Sequence, residues 1–215
     1  MDVSRIYQRR FGPDVAFRDR MWEVLCRDFF QRYVPSEATV LEIGAGYCEF
    51  INQIHATSKV ALDINPDTEQ HADRDVRVII GRSTHMKDLR DSSVDVAFAS
   101  NFFEHLTRDD ILSTIGETRR VLRVGGRFMI LQPNIRFCGR DYWMFFDHVT
   151  PIDDRAMVEA LRINGFRMVR VIPRFLPFTT KSRLPKSAFL LRMYLRLSPA
   201  WRLFGQQSFL LAEKE

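Results

Sequence analysis

The chain is poor in cysteine, has no long apolar run, and carries almost no acid in its last quarter. Only Cys26, Cys48 and Cys138 occur, widely spaced and without a C-x-x-C pair. That excludes a disulfide framework or a zinc knuckle and leaves them as small buried residues. No apolar stretch approaches the roughly 20 residues that cross a bilayer, and Met1-Asp2-Val3-Ser4-Arg5 leads into polar sequence rather than a signal-peptide core. A soluble, cytoplasmic protein is expected. Internal repeats, linkers and low-complexity tracts are absent, and 215 residues with 46% hydrophobic content suit one core better than two. The expectation is a single domain over 1–215. From Ala160 to Ala212 there is no Asp or Glu but ten Arg and Lys, so the net charge of +5 belongs to the C-terminal quarter.

Hydrophobic spacing predicts the elements. Trp22, Leu25, Cys26, Phe29, Phe30 and Tyr33 recur at helical spacing and stop before Pro35, which gives an N-terminal helical cap over 1–36. Strand-like runs follow at 39–43, 59–62, 76–80, 94–99, 126–132, 168–172 and 207–212, several of them too apolar to be half-exposed. Between them, Thr107-Arg108-Asp109-Asp110 reads as a capping box. It opens a helix that places Ile111, Leu112, Ile115 and Leu122 on one face and is expected to stop at Gly125-Gly126. A second helix is expected from Asp153 to Asn164, before Gly165. Alternating strands and helices predict an α/β, doubly wound, largely parallel sheet whose ligand sits outside the carboxyl ends of the strands.

The chemistry starts at Val40-Leu41-Glu42-Ile43-Gly44-Ala45-Gly46, a buried strand running into a glycine turn, with Asp63 ending the next strand 21 residues after Glu42. Glycines let a ligand approach the backbone, and a second-strand carboxylate at that distance suits ribose hydroxyls. A dinucleotide fingerprint needs a sixth-position glycine, but Glu49 stands there and would oppose a diphosphate at the helix N-terminus. The acidic Glu42 instead suits a ligand with an ammonium or sulfonium centre.

These residues resemble the class I S-adenosylmethionine-dependent methyltransferases. Glu42-Ile43-Gly44-Ala45-Gly46 looks like that family's first motif, and Asp63 like its ribose-binding acid. Asp91 to Leu106 is similar to the fourth-strand motif, and Arg120 to Arg127 to the entry of strand five. The resemblance spans roughly Val40 to Phe175 and implies a Rossmann-like, seven-stranded sheet, mostly parallel with an antiparallel last strand. It implies S-adenosylmethionine as cofactor, bound by Glu42, Gly44, Ala45 and Gly46, by Asp63 with Ile64, and by Asn101 and Phe102. Two positions depart from the pattern: Cys48 replaces a third glycine, and Gly81-Arg82-Ser83 lacks the acid often found near the adenine, so Ser83 is expected to contribute a hydroxyl there.

Methyl transfer from a sulfonium is an in-line displacement, and an alcohol acceptor benefits from a base. His148, in the segment after strand five, and His105, in a Glu-His-Leu element, are the candidate catalytic residues; either one could equally be a hydrogen-bonded framework histidine. Tyr142 and Trp143 are the candidate acceptor contacts in an aromatic cluster with Phe137, Phe145 and Phe146. No metal is expected, because the five histidines show no ligand spacing on one helix face. The insertion at 177–205 holds Lys181, Arg183 and Lys186 before a nearly all-apolar helix with Arg192 and Arg196. It reads as an anchor on an anionic membrane, a cap over the acceptor pocket or a homodimer face. Phe175 to Pro185 resembles bacterial methyltransferases associated with surface polysaccharide, which implies a small-molecule or saccharide acceptor, lipid-linked or nucleotide-linked, with phosphates meeting Lys181 and Arg183. Two other readings stand beside it. A nucleic-acid methyltransferase is disfavoured because Ser100-Asn101-Phe102-Phe103 is not the Asn/Asp-Pro-Pro-aromatic motif of amine methylation. The other is an inactive fold serving as a membrane scaffold.

Overall fold

The computed structural model describes residues 15–178 and 187–215. Lys181, Arg183 and Lys186 lie outside the described residues. Helix α1 (Val15–Asp28) leads through a 3-10 turn (Phe30–Tyr33) into β1 (Thr39–Ile43). The chain then runs through α2 (Glu49–Gln53), β2 (Ser58–Asp63), α3 (Thr68–His71), β3 (Val76–Ile80) and β4 (Val94–Ser100). A 3-10 turn (Phe103–His105), α4 (Arg108–Val121), β5 (Leu122–Pro133), α5 (Ile135–Cys138) and a 3-10 stretch (Gly139–Met144) follow. The remainder is α6 (Asp154–Ile163), β6 (Phe166–Ile172), α7 (Ala188–Arg196), α8 (Ser198–Phe204) and β7 (Gln207–Lys214).

The seven strands form one sheet in the order β3-β2-β1-β4-β5-β7-β6. β1 to β5 run parallel, while β7 enters antiparallel between β5 and β6. This is the expected Rossmann-like doubly wound sheet. The strand order reverses between β1 and β4, so the crevice at their carboxyl ends is where a ligand site belongs.

Apolar layers cover both faces, as a buried parallel sheet requires. On one, Trp22, Phe29 and Phe30 of the N-terminal helical segment meet Phe50, Phe98, Phe175, Trp201 and Phe209, so the N-terminal helix and the C-terminal insertion share a single core. On the other, Ile111 and Ile115 of α4 and Met157 and Leu161 of α6 pack over Leu41, Ile43, Phe128 and Ile130.

Several boundaries differ from the sequence expectation: the N-terminal helix ends at Asp28 before the 3-10 turn, β6 starts at Phe166, and the end of α4 moves as well. α4 ends at Val121 rather than at Gly125, because Leu122 is captured by pairing with Val94 as the first residue of β5. Gly125, at φ 74°, then lies within β5 near a register shift in the β4–β5 pairing. Leu122 is buried in the strand rather than on the helix face, and Leu112 is exposed.

Candidate active site

β1 turns sharply at its carboxyl end. Gly44 and Gly46 adopt left-handed conformations, with φ of 69° and 53°. A Cβ at Gly44 would lie 2.2 Å from the Phe102 ring, so only glycine lets the β1 turn and the segment after β4 touch. Cys48 also takes φ 60°, so the third glycine-like position keeps glycine's backbone with a small buried side chain. The Gly44 and Ala45 N–H groups donate to Leu62 O at 2.8 and 3.2 Å, tying the turn to β2.

Asp63 closes the cradle. Its carboxylate accepts from Gly46 N–H at 2.7 Å and from Asn65 N–H at 2.8 Å, and burial raises its pKa against these hydrogen bonds. Each oxygen has a second lone pair for a hydroxyl donor. Ile64, half-exposed beside it, offers an apolar surface at the rim. Glu42 lies beneath the turn, buried, accepting from Ile51 N–H at 3.1 Å at the start of α2. Burial there pushes its carboxyl well above the usual range. Glu49 is paired with Arg18 of α1, so its charge at the N-terminus of α2 is offset by a guanidinium 31 residues away in the chain. With that charge offset, Glu49 opposes a diphosphate at the helix N-terminus less strongly than an unpaired carboxylate would.

The third wall comes from the end of β4. Asn101 is held at φ 48°, donates its N–H to Leu131 O at 2.8 Å and bonds Ser100 through its side chain, while Phe102 covers Gly44. Ser83 is buried, and its hydroxyl meets Thr114 Oγ1 at 2.8 Å, so it ties the β3–β4 connection to α4.

Beyond this cradle the structure gathers His105 and His148, with ring centroids 4.9 Å apart. His105 Nδ1 lies 3.0 Å from Asp147 O and 3.4 Å from Asp147 Oδ2. Two backbone bonds, from Val149 and Thr150 N–H to Glu104 O, and the Thr150 hydroxyl on Leu106 O lash the two segments together. Glu104 itself is buried, and it forms with His105 and His148 a group whose ligand-type atoms all lie within 4.8 Å of one another. Helix-face spacing missed this cluster because it joins residues some forty positions apart; the visible signal was two acid–histidine pairs, Glu104-His105 and Asp147-His148.

Tyr142 is fully buried. Its hydroxyl donates to Thr150 O at 2.6 Å and accepts from Ile152 N–H, and its ring stands 4.9 Å from that of His148. It therefore positions the histidine segment rather than facing an acceptor, whereas Trp143 is half-exposed, its ring edge-on to that of Tyr142. Phe145 and Phe178 complete the aromatic surround of His148, at 5.2 and 6.3 Å.

Residues 41–130 match the methyltransferase domain family. The matched segment runs from β1 into β5 and contains the glycine turn, Asp63 and the Asn101–His105 stretch. The chain is thereby an enzyme of the methyltransferase class. No curated protein matches it in sequence. Among solved structures, it is similar to a methyltransferase from Thermotoga maritima described as a possible histamine N-methyltransferase, with TM-score 0.71, 19% identity and coverage of 98% of this chain and 99% of that one. A methyltransferase from Archaeoglobus fulgidus gives 0.68 at 21% identity, covering 95% and 99%. A geranyl diphosphate methyltransferase in complex with S-adenosylmethionine gives 0.65 at 16%, covering 92% and 85%. At these identities the likenesses show that the methyltransferase domain has this fold, and its substrate is read from its own side chains.

Proposed function

We propose that this chain is an S-adenosylmethionine-dependent methyltransferase that methylates a hydroxyl of a small molecule or saccharide at the Glu104–His105–His148 cluster. The cradle fits the cofactor: a turn where any Cβ at Gly44 would strike Phe102, an acid at the rim with lone pairs to spare, and an apolar edge at Ile64. When bound, S-adenosylmethionine supplies a methyl group on a sulfonium, which leaves as a neutral thioether once the methyl carbon bonds to the acceptor oxygen.

The observation that carries the acceptor reading is the paired histidines beside Phe102, lashed in place by Glu104 O and Asp147. A hydroxyl acceptor loses a proton as its oxygen is alkylated, and His148 and His105 are the residues we assign to that proton. Their fixed geometry also orients the oxygen, which is most of what an in-line displacement asks of a protein. Trp143 and the exposed Phe146 offer flat apolar surface for a sugar or phenol ring. Lys181 and Arg183, which follow Phe178 in the chain, suit the phosphates of a lipid-linked or nucleotide-linked saccharide. The basic, apolar α7–α8 region supports peripheral contact with an anionic membrane.

Calorimetry with S-adenosylhomocysteine should give one site per chain, and a labelled methyl group should pass to a sugar nucleotide, glycolipid or phenol. His148→Ala should lower turnover by about 10²- to 10⁴-fold with cofactor affinity nearly unchanged. Loss of cofactor binding in that variant would remove His148 from the acceptor chemistry, and no cofactor binding by the wild-type chain would favour an inactive scaffold.

A further inference from the structure

We propose that Glu104, His105 and His148 form a site for a divalent transition cation of the zinc type, open on one side to the acceptor hydroxyl. The inference rests on the acceptor reading above and supplies its chemistry. One carboxylate oxygen and two imidazole nitrogens are the donor set that borderline divalent ions take, and three protein ligands leave a fourth position for an exogenous oxygen.

Three features of the structure support it. The ligand-type atoms already lie within 4.8 Å of one another. A tetrahedral ion with bonds of about 2.1 Å holds its ligands roughly 3.4 Å apart, so closure asks for side-chain adjustments of about an ångström rather than a backbone change. Asp147 stands behind His105, with its backbone oxygen 3.0 Å and its carboxylate 3.4 Å from Nδ1, which leaves Nε2 as the ligand atom. A carbonyl or carboxylate behind the non-ligating ring nitrogen is the usual outer support of a metal-bound histidine. The backbone bonds from Val149 and Thr150 to Glu104 O fix the two ligand-bearing segments together, and the Tyr142, Phe145 and Phe178 rings give His148 an apolar surround.

In this arrangement the histidines act on the acceptor proton through the cation. The hydroxyl oxygen binds the open position, its O–H bond is weakened by the positive charge, and the proton leaves to water; the resulting alkoxide oxygen then bonds to the methyl carbon as the carbon–sulfur bond breaks. Atoms and charge balance without any redox partner.

The test uses untagged, chelator-treated protein titrated with Zn²⁺ and separately with Co²⁺, followed by calorimetry and by the visible ligand-field bands of cobalt. The expected result is one ion per chain with low-coordinate cobalt bands, and an affinity at least tenfold weaker in Glu104→Gln and in His105→Gln. S-adenosylhomocysteine affinity, measured on the same samples, reports whether each variant is folded, since neither residue belongs to the cradle. Absence of stoichiometric binding, or binding unchanged in both folded variants, would overturn the proposal and leave the cluster as a hydrogen-bonded framework. Failure of S-adenosylhomocysteine to bind the wild-type chain would instead overturn the methyltransferase reading, and the metal titration would report independently of it.

Discussion

At the residue scale the least expected behaviour belongs to Glu42. Read from sequence, it was a negative charge awaiting a sulfonium; in the fold it is a buried carboxyl bonded to Ile51 N–H, with its proton affinity raised first by desolvation and then by the nearby Glu49 and Asp63. An acid whose pKa is higher folded than unfolded binds its proton more tightly in the native state. Its contribution to stability is therefore greatest below the unfolded value near 4.5 and is lost as pH rises toward the folded value. Asp63, raised in the same direction, adds to the trend, whereas Asp153, Asp75 and Glu117 are lowered and act at more acid pH. Urea midpoints of the cofactor-free protein should fall as pH rises above about 5, with at most about 1.4 kcal/mol per pH unit from each group. Glu42→Gln keeps an acceptor for Ile51 and should flatten that slope. An identical slope in the variant would place the pH dependence elsewhere.

At the element scale the helix starts were legible because caps are written in local sequence. The Thr107 hydroxyl accepts from Asp110 N–H and donates to the Asp110 carboxylate, and Asp153 accepts from Arg155 and Ala156 N–H at the head of α6. Asp153→Ala should cost about 1 kcal/mol, a fall of roughly 2–4 °C in melting temperature by calorimetry for a chain of this size. A change within error would mean that solvent replaces the cap. The central strands were legible too, being runs of buried apolar residues. What failed locally did so for a tertiary reason: the start of β5 is set by Leu122 pairing with Val94, not by the glycines at 125 and 126. Of the candidate site, the turn was legible on one stretch of chain, in the left-handed Gly44 and Gly46 and the Gly46 N–H that Asp63 accepts. The site was illegible where separate segments meet: Ser83 turned to Thr114, Glu49 found Arg18, and Glu104 came beside His148.

At the scale of the whole molecule, α7 and α8 combine buried and exposed apolar side chains. Leu195 and Trp201 are buried in the core shared with α1, while Phe189, Leu190, Met193 and Leu197 stand exposed, as do Leu203 and Phe204. On a helical wheel the four exposed residues from 189 to 197 fall within about a third of the circumference. Arg196 and Arg192 both lie along one edge of that arc, with Arg192 also facing Asp28 of α1 at 3.6 Å. Among the described residues no helix is long and apolar enough to cross a membrane. The proposed contact with an anionic surface would use this apolar stripe and the arginines along its one edge, each cation near the surface contributing about 1 kcal/mol. The protein should float with phosphatidylglycerol-containing vesicles, stay behind with phosphatidylcholine alone, and be released by salt. Phe189→Ser with Arg196→Glu should abolish flotation while leaving S-adenosylhomocysteine affinity intact. No flotation of the wild-type protein, together with a concentration-dependent dimer that the same double variant dissociates, would assign the stripe to a second copy of the chain instead of a membrane.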